Sequence, residues 1–204
     1  MIGLTGAHRT GKSTLALAFA GMSGVPYLKT TASATFQRLN RDPQKDYPFE
    51  EHLFIQNIIL DDLCDQWASG GGYFITDRTP ICCWAYTIAR VQRETMTPEM
   101  DKLLHVFRRK CQEALSAYFR MLFVVQPGIP LVHDDTKAQA TFGFTEHISD
   151  IILGSVVSFE CDLMHIVPKN MTNLNDRVGG IYGLVRRYGM LGRANTPVSQ
   201  SKLT

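Results

Sequence analysis

The chain has 204 residues, 45% of them hydrophobic and 20% charged, with a formal net charge of +2. That is enough chain and apolar content for one compact domain, or one domain with a lid or insertion, and it excludes a disordered low-hydrophobicity chain. The charge is too small to imply a nucleic-acid partner by itself and does not exclude one.

The predicted elements alternate between strand and helix. Residues Ile2 to Thr5 form a short apolar strand that runs into a glycine-bearing loop, and Lys12 to Ala20 read as a helix with Leu15, Leu17, Ala18 and Phe19 on its apolar side. Gly21 and Gly24 stop that helix, and Val25 to Lys29 form a second strand. Thr30 to Asp46 is polar and fits a short helix followed by a mobile loop. Pro48 introduces a long helix, Phe49 to Ser69, ended by Gly70-Gly71-Gly72. Tyr73 to Thr76 is a buried strand ending in Asp77. Helices are expected over Pro80 to Arg93 and from Thr97-Pro98-Glu99 to about Ala117. Arg120 to Val125 is a fourth strand, Leu131 to Phe144 is irregular, Thr145 to Phe159 is helical, Asp162 to Val167 is a fifth strand and Asn173 to Tyr188 is the last helix. This order predicts an α/β fold with a five-stranded parallel sheet between two helical layers. A domain over residues 1–191 and a disordered, dispensable tail over 192–204 are expected.

No apolar run is long enough to span a bilayer, so no membrane association is expected. The first strand begins within two residues of the start, and no signal peptide is expected. The five cysteines, Cys64, Cys82, Cys83, Cys111 and Cys161, form no CxxC pair. They read as reduced, mostly buried thiols in a cytoplasmic protein, with Cys82 and Cys83 packing on the inner face of their helix.

Residues 6–13 read GAHRTGKS, which fits G-x-x-x-x-G-K-[ST] without a gap. Gly6 and Gly11 permit backbone paths that a side chain would block. The N–H groups of Ala7, His8, Arg9 and Thr10 then turn inward as an anion nest, and the following helix adds the positive end of its dipole. In this pattern Lys12 reaches the β- and γ-phosphates of ATP, Ser13 places a hydroxyl on Mg2+ and Thr14 bonds the α-phosphate. The second element is YFITDRTP, residues 73–80. Asp77, at the end of its strand, can hold a magnesium-bound water or orient an attacking hydroxyl, with Arg78 beside it over the phosphates or the acceptor. The same Asp can also cap the following helix, and both readings remain open.

GAHRTGKST followed some sixty residues on by DRTP resembles the P-loop nucleoside and nucleotide kinases and the small kinase-like ATPases, a neighbourhood that includes nicotinamide riboside kinase domains. Deoxyribonucleoside kinases carry a similar acid-Arg-Ser segment after their third strand. The resemblance implies a P-loop NTPase fold of the nucleotide-kinase type, ATP and Mg2+ as donor, and γ-phosphoryl transfer to a nucleoside-type acceptor. It also implies a basic lid after the fourth strand, for which Lys137 in HDDTKAQATFGF is the candidate; Asp134 and Asp135 there bind metal or cap a turn. The adenine would lie against Pro168-Lys169-Asn170, with Arg177 near the base or phosphates.

The acceptor side departs from the family. Deoxyribonucleoside kinases place a glutamate after strand two, whereas this chain reads LKTTASATF there. Either Asp77 is the base or little base help is needed, since a loose transition state depends on positioning and charge. Thr31, Ser33, Arg38 and Arg41 could line the acceptor pocket or form a surface helix. A closed pocket lined by Phe36, Tyr47 and Phe54 would suit a free nucleoside or nucleotide. Arg38 with Arg41, Arg90 with Arg93, Arg108-Arg109-Lys110 and Arg186-Arg187 could form a phosphate-backbone track. The short kinase core without that glutamate is similar to phage kinases that phosphorylate 5-hydroxymethyluracil within DNA, the specific acceptor expected here, and that reaction needs an exposed or flipped base. A P-loop ATPase or nucleotide sensor is the alternative of a different class.

Overall fold

The computed structural model describes residues 1–43, 45–91, 95–130 and 141–191. Lys137, Asp134, Asp135, Arg93 and the tail over 192–204 lie outside the described residues. Five strands, β1 (Ile2–Thr5), β2 (Tyr27–Leu28), β3 (Ile75–Thr76), β4 (Met121–Val125) and β5 (Met164–Val167), form one sheet in the order β2-β3-β1-β4-β5. Every pairing is parallel; Ile2 stands opposite both Ile75 and Met121, and Thr5 opposite Val124. Parallel neighbours need crossovers, and here helices supply them.

The helices are α1 (Lys12–Ser23), α2 (Ser33–Arg38), α3 (Phe49–Ser69), α4 (Pro80–Val91), α5 (Pro98–Tyr118), α6 (Phe142–Ser158) and α7 (Leu174–Arg187). They cover both faces of the sheet, and the strand residues divide between two cores with a period of two. Ile2, Leu4, Met121, Phe123 and Val125 pack with Leu15 and Phe19 of α1 and Val178, Ile181 and Val185 of α7. Leu122 and Val124 pack on the opposite side with residues of α3, α4, α5 and α6. Gly3 faces that side, where a Cβ would stand 2.6 Å from Thr79 Cγ2 and 2.8 Å from both Leu122 and Phe119. The missing side chain lets the start of α4 press against β1.

Local chemistry sets the helix ends, and several differ from the sequence expectation. Helix α1 continues through Gly21 to Ser23 and stops at Gly24, whose φ of 74° is left-handed and whose N–H bonds Ala20 O at 3.0 Å. Leu15 and Phe19 are buried as expected, but Leu17 points outward, 63% exposed, and Ala16 takes a buried position instead. Helix α6 begins at Phe142 instead of Thr145, because the Thr141 hydroxyl accepts from Phe144 N at 3.3 Å and caps it. The irregular segment expected over 131–144 is shorter at that end. Strands two, three, four and five are trimmed to the residues with parallel partners. Helix α5 is capped by Thr97, with Pro98 at its first position. Cys82 and Cys83 are buried inside α4, as expected.

Candidate active site

The C-terminal ends of β1, β3, β4 and β5 open on one edge of the sheet, where strand order reverses around β1. Residues 6–11 leave β1 at this edge and feed α1. The loop is held from below at Gly6, where a Cβ would lie 2.4 Å from Val125 O of β4. At Gly11 a φ of 84° makes the left-handed step into α1. Arg9 also adopts a positive φ, 61°. Thr10 Oγ1 donates to Ala7 O at 3.1 Å, and Lys12 Nζ donates to the same carbonyl at 2.6 Å, so the loop closes on itself.

Asp77 follows β3 and is 8% exposed. The Ser13 hydroxyl donates to Asp77 Oδ2, and Thr30 Oγ1 lies 3.4 Å from Oδ1 and 3.3 Å from Thr76 Oγ1. The expected metal ligands therefore meet, although they come from different elements. A hydroxyl and a carboxylate are hard oxygen donors that suit Mg2+, which takes its remaining positions from phosphate and water. Among the described residues no group of three or more His, Cys, Asp or Glu gathers elsewhere.

The electrostatics of the loop are strongly positive. Burial lowers the Lys12 ammonium to about 8; Arg78 adds to the shift, while Cys82 and Asp77 oppose it. His8 is lowered to about 3, first by burial and then by Lys12, Arg78 and Arg9. It is neutral at physiological pH, and its ring packs on Tyr86 with centroids 4.8 Å apart; Tyr86 in turn faces Phe144 of α6 at 6.3 Å. Arg78 stands near both Lys12 and His8 and has no ion-pair partner among the described residues. Beneath the loop, Cys82 Sγ lies 3.3 Å from Thr5 Oγ1. Burial pushes this thiol up, but the Lys12 cation, the Thr5 hydroxyl and Arg78 outweigh it and bring it below its ordinary value.

The other sequence candidates divide. Arg177 does reach the loop, but it binds backbone: NH1 donates to Thr10 O at 3.0 Å and Nε donates to Met171 O. The loop after β5 is close to that after β4, since a Cβ on Gly128 would lie 2.0 Å from Lys169 O. Lys169 pairs with Glu146 of α6. Thr31 and Ser33 are exposed and bond each other at the start of α2. Arg38 pairs with Asp62 at 2.6 Å and Arg41 with Glu51 at 2.7 Å, so these residues fasten α2 and the loop that follows it to α3 as a surface. Phe36 is half-buried and Tyr47 buried, but Phe54 is 57% exposed. Thr30, Tyr27 and Tyr86 are near-site residues that sequence reasoning did not assign. The Tyr27 phenol is pushed up by burial and by the Asp77 carboxylate. Strand alternation put Tyr27 on the α1 side of β2 and was the available signal for it.

A family model described as an AAA domain matches residues 1–174. No curated protein sequence matches the chain. Among solved structures, deoxyadenosine kinase from M. mycoides with bound dCTP aligns with a TM-score of 0.66 at 12% identity, over 91% of this chain and 98% of that one. The NadR protein in complex with NR aligns with a TM-score of 0.65 at 15% identity, over 97% of this chain and 52% of that one, so the chain spans about half of NadR. At such identities the likeness is one of fold: the P-loop, nucleoside-kinase type of five-stranded parallel sheet flanked by helices.

Proposed function

The chain belongs to the AAA domain family matched over residues 1–174, and from that premise we propose that residues 1–191 are an ATP- and Mg2+-dependent kinase acting on a nucleoside-type acceptor. The observation that carries this reading is the meeting of Ser13 with Asp77 beside a phosphate loop and Arg78, which has no ion-pair partner among the described residues. The fold shared with a deoxyadenosine kinase along nearly its whole length supports it.

In this reading the loop N–H groups and Lys12 hold the β- and γ-phosphates. Ser13 and Asp77 would hold Mg2+, which supplies charge neutralisation between the phosphates. Thr30 steadies the second oxygen of Asp77. The acceptor hydroxyl oxygen bonds the γ-phosphorus while the bond from that phosphorus to the β-bridging oxygen breaks, and ADP leaves. The hydroxyl proton passes to Asp77 or to water, no carboxylate standing after β2. Arg78 faces the charge that spreads over the moving phosphoryl group. Neutral His8, fixed by Tyr86, shapes the loop without adding a charge. Lys137 is the proposed lid cation.

The narrower acceptor, 5-hydroxymethyluracil within phage DNA, needs a free basic track. Arg38, Arg41, Arg90, Arg109 and Lys110 instead pair with Asp62, Glu51, Asp46, Glu113 and Asp61, which leaves Arg186 and Arg187, exposed at the end of α7, as the one group with no ion pair among the described residues. Arg108 lies over the Trp84 and Phe159 rings. This pairing favours a free nucleoside or nucleotide. The test uses γ-labelled ATP, Mg2+ and three acceptor pools: nucleosides, nucleoside monophosphates, and duplex DNA with or without 5-hydroxymethyluracil. Label on a free acceptor is the expected result. Label confined to the modified DNA would establish the narrower reading, and slow ATP hydrolysis with no labelled acceptor would make the protein an ATPase or nucleotide sensor.

A further inference from the structure

Arg177, on the first turn of α7, is a buried cation with no counter-ion among the described residues. The residue is 3% exposed, and no carboxylate pairs with it among the described residues. Its guanidinium is tethered by two backbone carbonyls, Thr10 O and Met171 O. The third nitrogen, NH2, is buried without a hydrogen-bond partner, and NH1 stands 3.6 Å from where a Cβ of Gly11 would be. Desolvation opposes the charge, in keeping with the burial.

Buried arginines are ordinarily neutralised by an acid, because an unpaired charge out of water is costly. Carbonyl dipoles compensate only in part, and one donor remains unused. The place where this charge is left unquenched is the loop whose other features attract an anion. We infer that Arg177 is a positioning residue of the phosphate loop: it fixes the Thr10–Gly11 backbone and sets an uncompensated positive charge against the nucleotide phosphates. The inference rests on the proposed kinase reading for the identity of its ligand. Of the two placements the family resemblance implied, near the base or near the phosphates, it takes the second and makes the contact indirect, because two of the donor groups are committed to the main chain.

The test compares R177Q and R177K with the wild type in the full chain. ATP binding with Mg2+ is measured by calorimetry, and unfolding temperature is measured with and without ATP. R177Q is expected to weaken ATP binding by roughly tenfold to a hundredfold, the range for losing a charged hydrogen-bonding group. The free R177Q protein loses two hydrogen bonds to backbone carbonyls and should unfold somewhat below the wild type, while the ATP-induced rise in unfolding temperature shrinks as well. R177K keeps the charge and loses the two-carbonyl fork, so its affinity should fall between the two. With an acceptor in hand, KM for ATP rises while kcat is kept within about threefold. Unchanged ATP affinity with a lowered unfolding temperature would reduce Arg177 to a structural tether and overturn the inference. If R177Q does not fold, R177K decides by the same split. Calorimetry needs no acceptor, so this outcome is distinct from failure of the kinase reading, in which the wild type binds ATP and labels nothing.

Discussion

Ser13 and Asp77, 64 residues apart in the chain, share a hydrogen bond at the edge of the sheet where α1 begins and β3 ends. The pairing follows from topology. Strands β1 and β3 are parallel neighbours with Ile2 opposite Ile75, so the residues that follow them emerge side by side. One supplies a loop and a helix start, and the other supplies an acid.

Asp77→Asn should cut turnover by about two orders of magnitude or more while weakening ATP binding far less, because the charge matters most once the phosphoryl group moves. Ser13→Ala should raise the Mg2+ concentration needed for half-maximal rate. Steady-state rates over a Mg2+ series, with calorimetry for ATP, check both. Equal losses in binding and turnover for Asp77→Asn would leave it as a helix cap.

Lys12→Ala should abolish phosphoryl transfer, by about two to three orders of magnitude in kcat, and leave the fold intact. Circular dichroism and thermal melting check the second part. The unfolding temperature should not fall, since the substitution removes a partly buried ammonium whose desolvation opposes its charge. Retained transfer would end the phosphate-loop assignment.

His8 gives the fold an acid sensitivity. Its folded value is lowered from 6.5 to about 3, so between those limits the unfolded chain binds a proton that the folded chain refuses. More protons on the unfolded state means that stability rises with pH. The stability of the protein should therefore fall as pH drops from 6.5 towards 3, with no contribution from His8 above that window. His8→Gln should remove up to about one proton's worth of that slope, read as urea-unfolding free energy against pH. An unaltered slope would place the acid sensitivity elsewhere.

Gly128→Ala should open the loops after β4 and β5. The new Cβ meets Lys169 O, and backbone on both sides cannot yield as a flexible side chain does. A loss of about 1–3 kcal/mol is expected in equilibrium unfolding. Gly143→Ala, where nothing lies within 4 Å, is the matched control and should leave stability near that of the wild type.

The alternation of strands and helices, the phosphate loop at Gly6–Ser13 and the strand-end acid Asp77 were determined by the sequence alone. Each is a local property: a period of two or 3.6, a glycine where a side chain would collide, an acid that follows a buried run. The start of α5 is legible at its Thr97 cap, whereas α1 runs past Gly21 to the second of its two glycines and α6 starts at a Thr141 cap three residues before its expected beginning. What only the tertiary structure decided is which distant residues share the site. Thr30 reaches Asp77, Tyr86 packs on His8 and Arg177 grips Thr10 because parallel strands and their crossovers bring chain segments 47, 78 and 167 residues apart to one edge. It also decided which arginines are free. Arg38 and Arg41 look like any basic pair in the sequence, and only the packing of α2 on α3 shows them neutralised by Asp62 and Glu51. Charge in a sequence is a count, whereas the field at a site depends on distance and burial, and those exist only after folding.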